Sequence, residues 1–268
     1  MKQPKAIPDH YPVIALAGNP NVGKSTLFNS LTTGKKQHTG NWIGKTTANA
    51  WGICHSPARD YTLVDIPGTY SLSSRSVEEE VARDFICFGA HQAVVIVCDA
   101  TCLERGLLLV MQVLETCPKA LLCVNLLDEA EKRHITIDLP RLEQCLGIPV
   151  VGVAARSGKG LAQLQERLHA LLHEDAPSPC PVPIPEQLEE PLQLVQAALP
   201  KNGNGLPPLW TAKRLLEPEP ELHEKIAAHL GISLETGEIA DALRQAQCLV
   251  SPDRKSVGEG KRVDLGGR

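Results

Sequence analysis

The chain has 268 residues, a formal net charge of -4 and a pI near 6.1, so it lacks the basic balance of a general nucleic-acid binder and is long enough for one large or two modest domains. Hydrophobic residues make up 43% of it, which is normal for a globular protein, and no apolar run approaches the roughly 18 residues of a membrane helix. Its nine cysteines form no C-x-x-C pair. We interpret them as small buried apolar side chains in a reducing compartment.

Five short apolar runs alternate with helical patterns over residues 1–174. The runs predict buried strands at 13–17, 61–64, 93–98, 120–124 and 150–153, and the helical spacing predicts helices at 24–33, 78–88, 104–116, 138–146 and 159–172. Residues 34–47 are polar and predict a loop. This alternation is typical of an α/β domain with a mostly parallel sheet covered on both faces. Ligands in such sheets bind beyond the carboxyl ends of the strands.

The pattern changes in a proline-rich stretch, for which we predict a semi-rigid linker over 175–185. Five prolines lie between residues 175 and 187, and they resist both helix and central strand. Helical patterns follow at 186–199, 208–216, 219–230 and 235–248. We therefore predict a small all-α domain over 186–250, and a disordered tail over the polar, glycine-rich residues 251–268.

A glycine-rich motif joins the first predicted strand to the first predicted helix. Gly18-x4-Gly23-Lys24-Ser25 fits the phosphate-binding pattern G-x-x-x-x-G-K-[ST]. The glycines let successive backbone N–H groups approach phosphate oxygens, and the helix adds the positive end of its dipole. Lys24 offers a positive charge to the β- and γ-phosphates, and Ser25 offers Mg²⁺ a hydroxyl ligand. The predicted nucleotide contacts are Gly18, Asn19, Pro20, Asn21, Val22, Gly23, Lys24, Ser25 and Thr26.

Asp65 ends the second predicted strand, and Gly68 follows three residues later. The Asp65 carboxylate can hold Mg²⁺ through water opposite Ser25, and the Gly68 N–H can meet a γ-phosphate. A D-x-x-G sequence alone is most often a turn. The prediction therefore depends on its position after a phosphate loop and an apolar run.

The fourth predicted strand ends in Asn125-x-x-Asp128. The Asp128 carboxylate can accept hydrogen bonds from guanine N1–H and its 2-amino group, and polar sites of this kind discriminate by about 10⁴–10⁵. Asn125 can brace the neighbouring loops. Leu127 stands where the longer motif has lysine, which removes an aliphatic stem over the base. Backbone N–H groups after the next strand can close the pocket, at Ala154, Ala155 and Arg156.

These ordered motifs resemble those of a Ras-like P-loop GTPase. The longer stretches of sequence around them resemble the cytosolic N-terminal region of FeoB, a family of bacterial ferrous-iron transporters. The resemblance spans about residues 12–172 and rests on "GNPNVGKSTLFN", "TGNWIGKTT", "VDIPGTYSL", "VCDATCLERGLLL" and "NLLDEAEK". It implies a Mg²⁺-dependent module that binds GTP and GDP and hydrolyses GTP. By position and helicity, 186–250 would match the GDP-dissociation-inhibitor-like domain of the family.

The resemblance also implies a setting and partners. The family continues into a polytopic membrane domain that this sequence does not contain, so we expect a soluble fragment at the cytoplasmic face of the bacterial inner membrane. The expected partners are guanine nucleotide, that membrane domain and a second copy of the chain through its switch regions, without nucleic acid. Iron is implied by the resemblance alone, because the cysteines and histidines show no ligand spacing.

Two switch segments are carried over from the family. Thr46 is the implied first-switch threonine, on its Gly-x-Thr spacing from Gly44, with a hydroxyl for Mg²⁺ and a backbone beside the γ-phosphate. Asn41 and Trp42 help to place this loop, although Trp42 fits simple packing equally well. The implied switch residues are Gly44, Lys45, Thr46 and Thr47, and then Asp65, Ile66, Pro67, Gly68 and Thr69.

Thr69 stands where Ras-like enzymes have a glutamine that orients the attacking water. Its short side chain cannot reach as an amide does, so we predict slow intrinsic turnover with a water held mainly by the first-switch backbone. Arg75 and Arg83 are near in sequence, but we interpret both as solvated surface rather than as an arginine finger. The predicted catalytic residues are Asn21, Lys24, Thr46 and Gly68.

Asn21 has two interpretations. The resemblance implies that it ligates K⁺ beside the α- and γ-phosphates, as in related potassium-activated GTPases, where the cation takes the place of an arginine finger. The alternative is that Asn21 only stabilises the turn through its own side chain.

Two other functions stay open at this point. A soluble ribosome- or tRNA-associated GTPase would share the phosphate loop, but such proteins usually carry basic RNA-binding domains, and the acidic helical part does not supply one. A non-catalytic nucleotide-binding scaffold would bind GTP tightly and release no phosphate.

Overall fold

Seven strands form one sheet in the first part of the chain. In this computed structural model they are β1 Val13–Gly18, β2 His38–Asn41, β3 Ala48–Cys54, β4 Tyr61–Asp65, β5 Ala93–Asp99, β6 Ala120–Asn125 and β7 Val150–Gly152. Their spatial order is β2-β3-β4-β1-β5-β6-β7. The strands β4, β1, β5, β6 and β7 are parallel to one another, whereas β3 pairs in antiparallel fashion with both β2 and β4. The predicted α/β fold with a mostly parallel sheet is confirmed.

The structure describes most of the chain and leaves several segments outside the description. The described residues are 11–32, 38–41, 48–56, 59–73, 76–173, 179–201 and 204–250.

The loop predicted over 34–47 is wrong at 38–41, where β2 pairs with β3. Thr39 lies opposite Ala50, and Asn41 lies opposite Ala48. β3 has no counterpart in the sequence prediction either. Neither strand contains a continuous apolar run, and the pairing of β2 with β3 and of β3 with β4 is a contact between strands that composition does not encode.

Two hydrophobic layers cover the faces of the sheet because side chains alternate along each strand. Ile14 and Leu16 of β1 face one layer, whereas Ala15 and Ala17 face the other. The first layer is completed by α1 and α6, and the second by α2, α3, α4 and α5. These helices are α1 Lys24–Leu31, α2 Val77–Phe88, α3 Leu103–Thr116, α4 Leu127–Lys132, α5 Leu139–Leu146 and α6 Leu161–His173.

The chain divides into two units between Val182 and Pro183, inside the proline-rich stretch predicted as a linker. Residues 175–178 of that stretch lie outside the described residues. The described part of the second unit contains α7 Glu186–Ala198, α8 Pro208–Leu216, α9 Pro220–Leu230 and α10 Glu238–Val250. α7 packs against α8 and α10. Among the described helices of both units, none is both long and apolar enough to cross a bilayer, and the predicted tail at 251–268 is not described.

The cysteines do not all follow the interpretation that they are buried. Cys54, Cys98 and Cys123 are buried, and burial raises the pKa of Cys98 to about 12, so that thiol stays protonated at neutral pH. The interpretation is wrong for the four exposed cysteines, which lie at helix ends or in the proline-rich stretch where no core is available. These are Cys102, Cys145, Cys180 and Cys248.

Candidate nucleotide-binding site

The predicted phosphate loop connects β1 to α1, and glycine is required at both ends of its motif. Gly23 has φ 80°, a conformation that favours glycine, and a Cβ there would lie 2.4 Å from Asn125 Nδ2. A Cβ on Gly18 would lie 2.6 Å from the Val97 carbonyl oxygen. Asn21 also has a positive φ, 65°, which asparagine tolerates better than most residues. The close approaches explain the glycine spacing of the motif.

A cavity of about 580 Å³ opens between this loop and the segment that follows β4. This volume lies within the range of about 300–1,000 Å³ that is typical of small-molecule sites. The cavity brings predicted phosphate-binding and switch residues together, and it adds Glu78, which the sequence indicated only as part of a helix. The lining residues are Asn19, Pro20, Asn21, Gly23, Lys24, Ser25, Thr26, Pro67, Gly68 and Glu78.

Lys24, Ser25 and Asp65 form a polar cluster at the wall of this cavity. Lys24 Nζ forms an ion pair with Asp65 Oδ1 and donates to the Ile66 carbonyl oxygen at 2.6 Å. Ser25 Oγ lies 3.5 Å from the other Asp65 carboxylate oxygen. A hydroxyl and a carboxylate are hard oxygen donors of the kind that Mg²⁺ prefers. The residues present therefore fit the predicted magnesium site.

The two residues after Pro67 differ in what they offer the cavity. Gly68 lies against the phosphate loop, where a Cβ would be 3.1 Å from Pro20 Cα. Thr69 is fully buried (0% exposed). Its N–H donates to the Gly18 carbonyl oxygen at 3.2 Å, and its hydroxyl donates to the Ser71 carbonyl oxygen. The Thr69 hydroxyl is thus bound within its own loop.

Asn125, at the carboxyl end of β6, joins the phosphate loop to the loop after β7. Its side chain is 1% exposed. Asn125 Nδ2 donates to the Val22 carbonyl oxygen at 3.0 Å, and Asn125 Oδ1 accepts from the Ala155 N–H at 3.1 Å. The bracing predicted for this residue is present in the geometry.

Asp128 and Leu127 occupy the first turn of α4, which begins after Leu126 with φ 63°. Asp128 is half-buried, and its carboxylate accepts no hydrogen bond from the part of the chain that the structure describes. Leu127 packs against the hydrophobic layer beside Gly152, where an added Cβ would lie 2.5 Å from Leu127 Cδ1. The Asp128 carboxylate, which is predicted to recognise the base, is thus available to a ligand, and Leu127 packs against the core.

The segment after β7 offers fewer free N–H groups than the sequence suggests. The Ala154 N–H donates to the Lys159 carbonyl oxygen at 3.0 Å, and the Ala155 N–H donates to Asn125. Arg156 is exposed. Its N–H is the one of these three that has no acceptor among the described residues.

Comparison with known proteins identifies the family. The family model described as "Ferrous iron transport protein B" matches residues 12–168, which is more than half of the chain. The chain belongs to the FeoB family. Curated Fe(2+) transporters FeoB of Salmonella typhimurium and Escherichia coli are each 42% identical to it over 156 residues. That alignment covers 57% of this chain and 20% of each relative, so the chain spans about a fifth of their length.

Solved FeoB structures match both units of the chain. The cytosolic domain of T. maritima FeoB in a GDP form is 32% identical, with a TM-score of 0.76, and the match covers 92% of this chain and 98% of that one. The cytosolic domain of L. pneumophila FeoB is 29% identical, with a TM-score of 0.71, and covers 90% and 98%. The first unit therefore has the P-loop GTPase fold of the FeoB G domain.

Part of the FeoB site falls outside the described residues. The first-switch segment predicted from the resemblance lies there, as do Trp42 and Arg75; the segment comprises Gly44, Lys45, Thr46 and Thr47. Arg83 is described, and its interpretation as solvated surface is wrong. Its side chain is 2% exposed and donates to Asp84 Oδ1 at 3.1 Å. This pairing lets a charged side chain lie on the buried side of α2.

A contact that the sequence did not reveal links the phosphate loop to α3 and to Tyr70, the residue after the predicted second switch. Asn19 Nδ2 donates to the Arg105 carbonyl oxygen at 3.1 Å, in the first turn of α3. The Arg105 guanidinium carbon lies 5.4 Å from the centre of the Tyr70 ring, within reach of a cation–π interaction. The sequence offered no signal for this link, because Asn19, Tyr70 and Arg105 lie on three separate segments of the chain.

Proposed function

We propose that this chain is a GTP-binding and GTP-hydrolysing switch module of a bacterial ferrous-iron transporter. The observation that carries the proposal is the Asn125 bridge. This single buried side chain holds the phosphate loop and the loop after β7 together, beside an Asp128 carboxylate that is available for guanine. The solved relatives in GDP and GMPPNP forms support a guanine nucleotide as the ligand.

The test compares GTP with ATP, because phosphate loops alone do not discriminate bases. We expect GTP and GDP to bind, ATP to bind at least about 10⁴-fold more weakly, and inorganic phosphate to be released from GTP. Equal affinity for ATP would contradict the guanine assignment. Tight GTP binding without any phosphate release would instead support the non-catalytic scaffold.

In the proposed mechanism the chain mainly positions and neutralises phosphates. Lys24 exchanges its contacts with Asp65 and Ile66 for the β- and γ-phosphate oxygens, while the phosphate-loop and Gly68 N–H groups surround them. Ser25 and Asp65 would hold Mg²⁺, with Thr46 as a further ligand. When bound, Mg²⁺ would supply positive charge that offsets the negative charge of the phosphates. Because the Thr69 hydroxyl is hydrogen-bonded to Ser71, we expect the first-switch backbone, rather than Thr69, to orient the attacking water. We therefore expect slow intrinsic turnover.

Asn21 supports a requirement for K⁺. It is exposed, lines the phosphate cavity, and makes no hydrogen bond to another described residue. Its side chain therefore does not stabilise the turn by a bond of its own, although its positive φ suits the turn backbone. An amide oxygen is a suitable K⁺ ligand, and a bound K⁺ would supply positive charge beside the transferring phosphate.

A matched pair of variants separates these two roles of Asn21. Asn21→Gly keeps the left-handed backbone and removes the amide, whereas Asn21→Ala removes both. We expect a higher kcat in KCl than in NaCl for the wild type and no K⁺ preference in either variant. A K⁺ preference that survives in Asn21→Gly would show that the residue serves only the turn.

The alternative, a soluble ribosome- or tRNA-associated GTPase, is not favoured. Membership of the FeoB family supports the transporter, and the net charge of -4 gives no basis for RNA binding. Ribosomal subunits retained by the purified chain at physiological salt would reverse this preference.

The proposed module acts at the cytoplasmic face of the inner membrane, with the transporter's membrane domain and a second copy of the chain as partners. We propose that γ-phosphate orders residues 37–47 and 66–76, and that this change reaches the GDP-dissociation-inhibitor-like helical domain at 186–250. Hydrogen exchange measured with GDP and with a GTP analogue tests this coupling. Identical protection of all three segments in the two states would refute it.

A further inference from the structure

The last two turns of α6 carry two histidines at a metal-ligand spacing, so the prediction that the histidines show no such spacing is wrong for this pair. His169 and His173 are four residues apart on one continuous helix, so both side chains project from the same face. Their ring centroids lie 4.3 Å apart, with an angle of 52° between the ring planes. Two imidazoles are thus adjacent at a helix surface, away from the face of α6 that packs on the sheet.

The ring nitrogens of this pair make no hydrogen bond to the described parts of the chain, and other histidines differ in this respect. His55 Nδ1 contacts Asp60 Oδ2 at 2.8 Å, and His223 Nε2 contacts the Arg214 carbonyl oxygen at 3.0 Å. His169 is half-buried and His173 is exposed. The pair therefore places two imidazoles that make no hydrogen bond to the described residues 4.3 Å apart, one half-buried and one exposed.

We propose that His169 and His173 form a two-histidine site for a divalent transition-metal ion of the borderline class. Neutral imidazole suits Zn²⁺, Ni²⁺, Cu²⁺ and Fe²⁺, whereas Mg²⁺ and Ca²⁺ prefer oxygen ligands. An i, i+4 histidine pair on one helix face is the spacing that binds zinc in metalloproteases. The pair also lies in the final turns of α6, where unpaired carbonyl groups favour a cation.

The rest of the coordination shell is left to solvent. Within the described residues no group of three or more histidine, cysteine, aspartate or glutamate side chains is placed to hold a metal. The site is therefore open, with water in the remaining positions. Its affinity order is expected to follow the intrinsic order of the ions, with Cu²⁺ above Ni²⁺ and Zn²⁺, and Fe²⁺ weaker.

The test uses the full 268-residue chain without a histidine tag, and calorimetric titration with Ni²⁺ or Zn²⁺ as the probe. We expect one ion to be bound by the histidine pair of the wild-type chain, and no Mg²⁺ to be bound by this pair. Removing one ligand abolishes chelation, so His169→Gln and His173→Gln are each expected to weaken binding by roughly 100-fold. Ni²⁺ should also raise the Tm of the wild type and leave that of both variants unchanged, since an ion bound only by the folded state stabilises it.

Two controls distinguish chelation from the mere presence of histidines. His134→Asn removes an exposed histidine elsewhere and should leave Ni²⁺ binding unchanged. The double variant Glu166→His with His169→Gln keeps the number of histidines but moves the pair two helical turns apart, and it should lose binding. Wild-type affinity in either single variant, or in the double variant, would overturn the proposal, as would the absence of a Ni²⁺-induced Tm shift in the wild type. Nucleotide binding is measured in parallel. A loss of nucleotide binding in the wild type would contradict the proposed function and would not bear on the histidine site.

Discussion

Replacing Asn125 by alanine tests whether the Asn125 bridge stabilises the G domain itself or acts only through the nucleotide. The substitution removes the donor to the Val22 carbonyl oxygen and the acceptor for the Ala155 N–H. Both of these residues are buried, so water does not readily replace the lost partners. Each unpaired buried group costs about 1–3 kcal/mol, and the free energy of unfolding should fall by about 2–6 kcal/mol.

The assay is urea unfolding without nucleotide, monitored by circular dichroism. The curve is fitted with two transitions because the chain has two units. Asn125→Asp keeps an acceptor for the Ala155 N–H but loses the donor to Val22, so its stability should be intermediate or lower. Asp128→Asn is the matched control, since this carboxylate makes no hydrogen bond to the described residues, and the change should stay within about 1 kcal/mol. If Asn125→Ala unfolds at the wild-type urea concentration, the structural role of the bridge is refuted.

The base pocket and the first turn of α3 each offer a further substitution with a defined outcome. Asp128→Asn should weaken GTP binding by at least about 100-fold and improve binding of XTP, because the new amide N–H can donate to the xanthine 2-carbonyl but faces another donor in the guanine 2-amino group. Unchanged GTP affinity in equilibrium titrations would contradict the pocket. Arg105 and Tyr70 should show a coupling of about 0.5–1 kcal/mol in a double-mutant cycle of Arg105→Met and Tyr70→Leu, measured by urea unfolding. Strict additivity of the two single changes would remove the cation–π contact.

Elements with strong local signals could be predicted from the sequence. β5 and β6 each combine a continuous buried apolar run with a polar residue at the carboxyl end, and β1 leads directly into the glycine motif, so both the strand and the adjacent loop could be located. α5 carries local end signals too, since Asp138 accepts from the Arg141 N–H at 2.9 Å and Gly147 ends the helix at φ 69°. These features depend on residues close in sequence, which pattern analysis detects.

The remaining features depend on contacts between distant residues. β3 is stabilised by pairing with β4 and by a close approach at Gly52, where a Cβ would lie 2.8 Å from Thr32 Cγ2. Arg83 is 2% exposed although its ion-pair partner Asp84 is the next residue in sequence, so the local pairing of charges does not by itself indicate the burial. Glu78 lines the phosphate cavity because the loop after β4 brings the start of α2 to it. None of these placements is encoded in a local period or spacing, so the sequence left them unpredicted.

Thr69 gives the sharpest contrast between a motif and its geometry. In the sequence, Thr69 occupies the position at which Ras-like enzymes have a glutamine. On that basis, Thr69→Gln should accelerate GTP hydrolysis by restoring an amide that orients water. The structure predicts the opposite, because the Thr69 side chain is buried and its hydroxyl is bound to Ser71. A longer side chain would be forced into a filled space, at a cost of about 1–3 kcal/mol.

We therefore expect Thr69→Gln to lower the Tm and to leave kcat no higher than that of the wild type in KCl. Thr69→Ser is the matched control, because it keeps the hydroxyl and should retain most of the stability and turnover. Single-turnover phosphate release at saturating GTP separates the chemical step from nucleotide binding. A faster chemical step in Thr69→Gln would mean that this side chain reaches the cavity during turnover, and water orientation would then belong to the second switch rather than to the first.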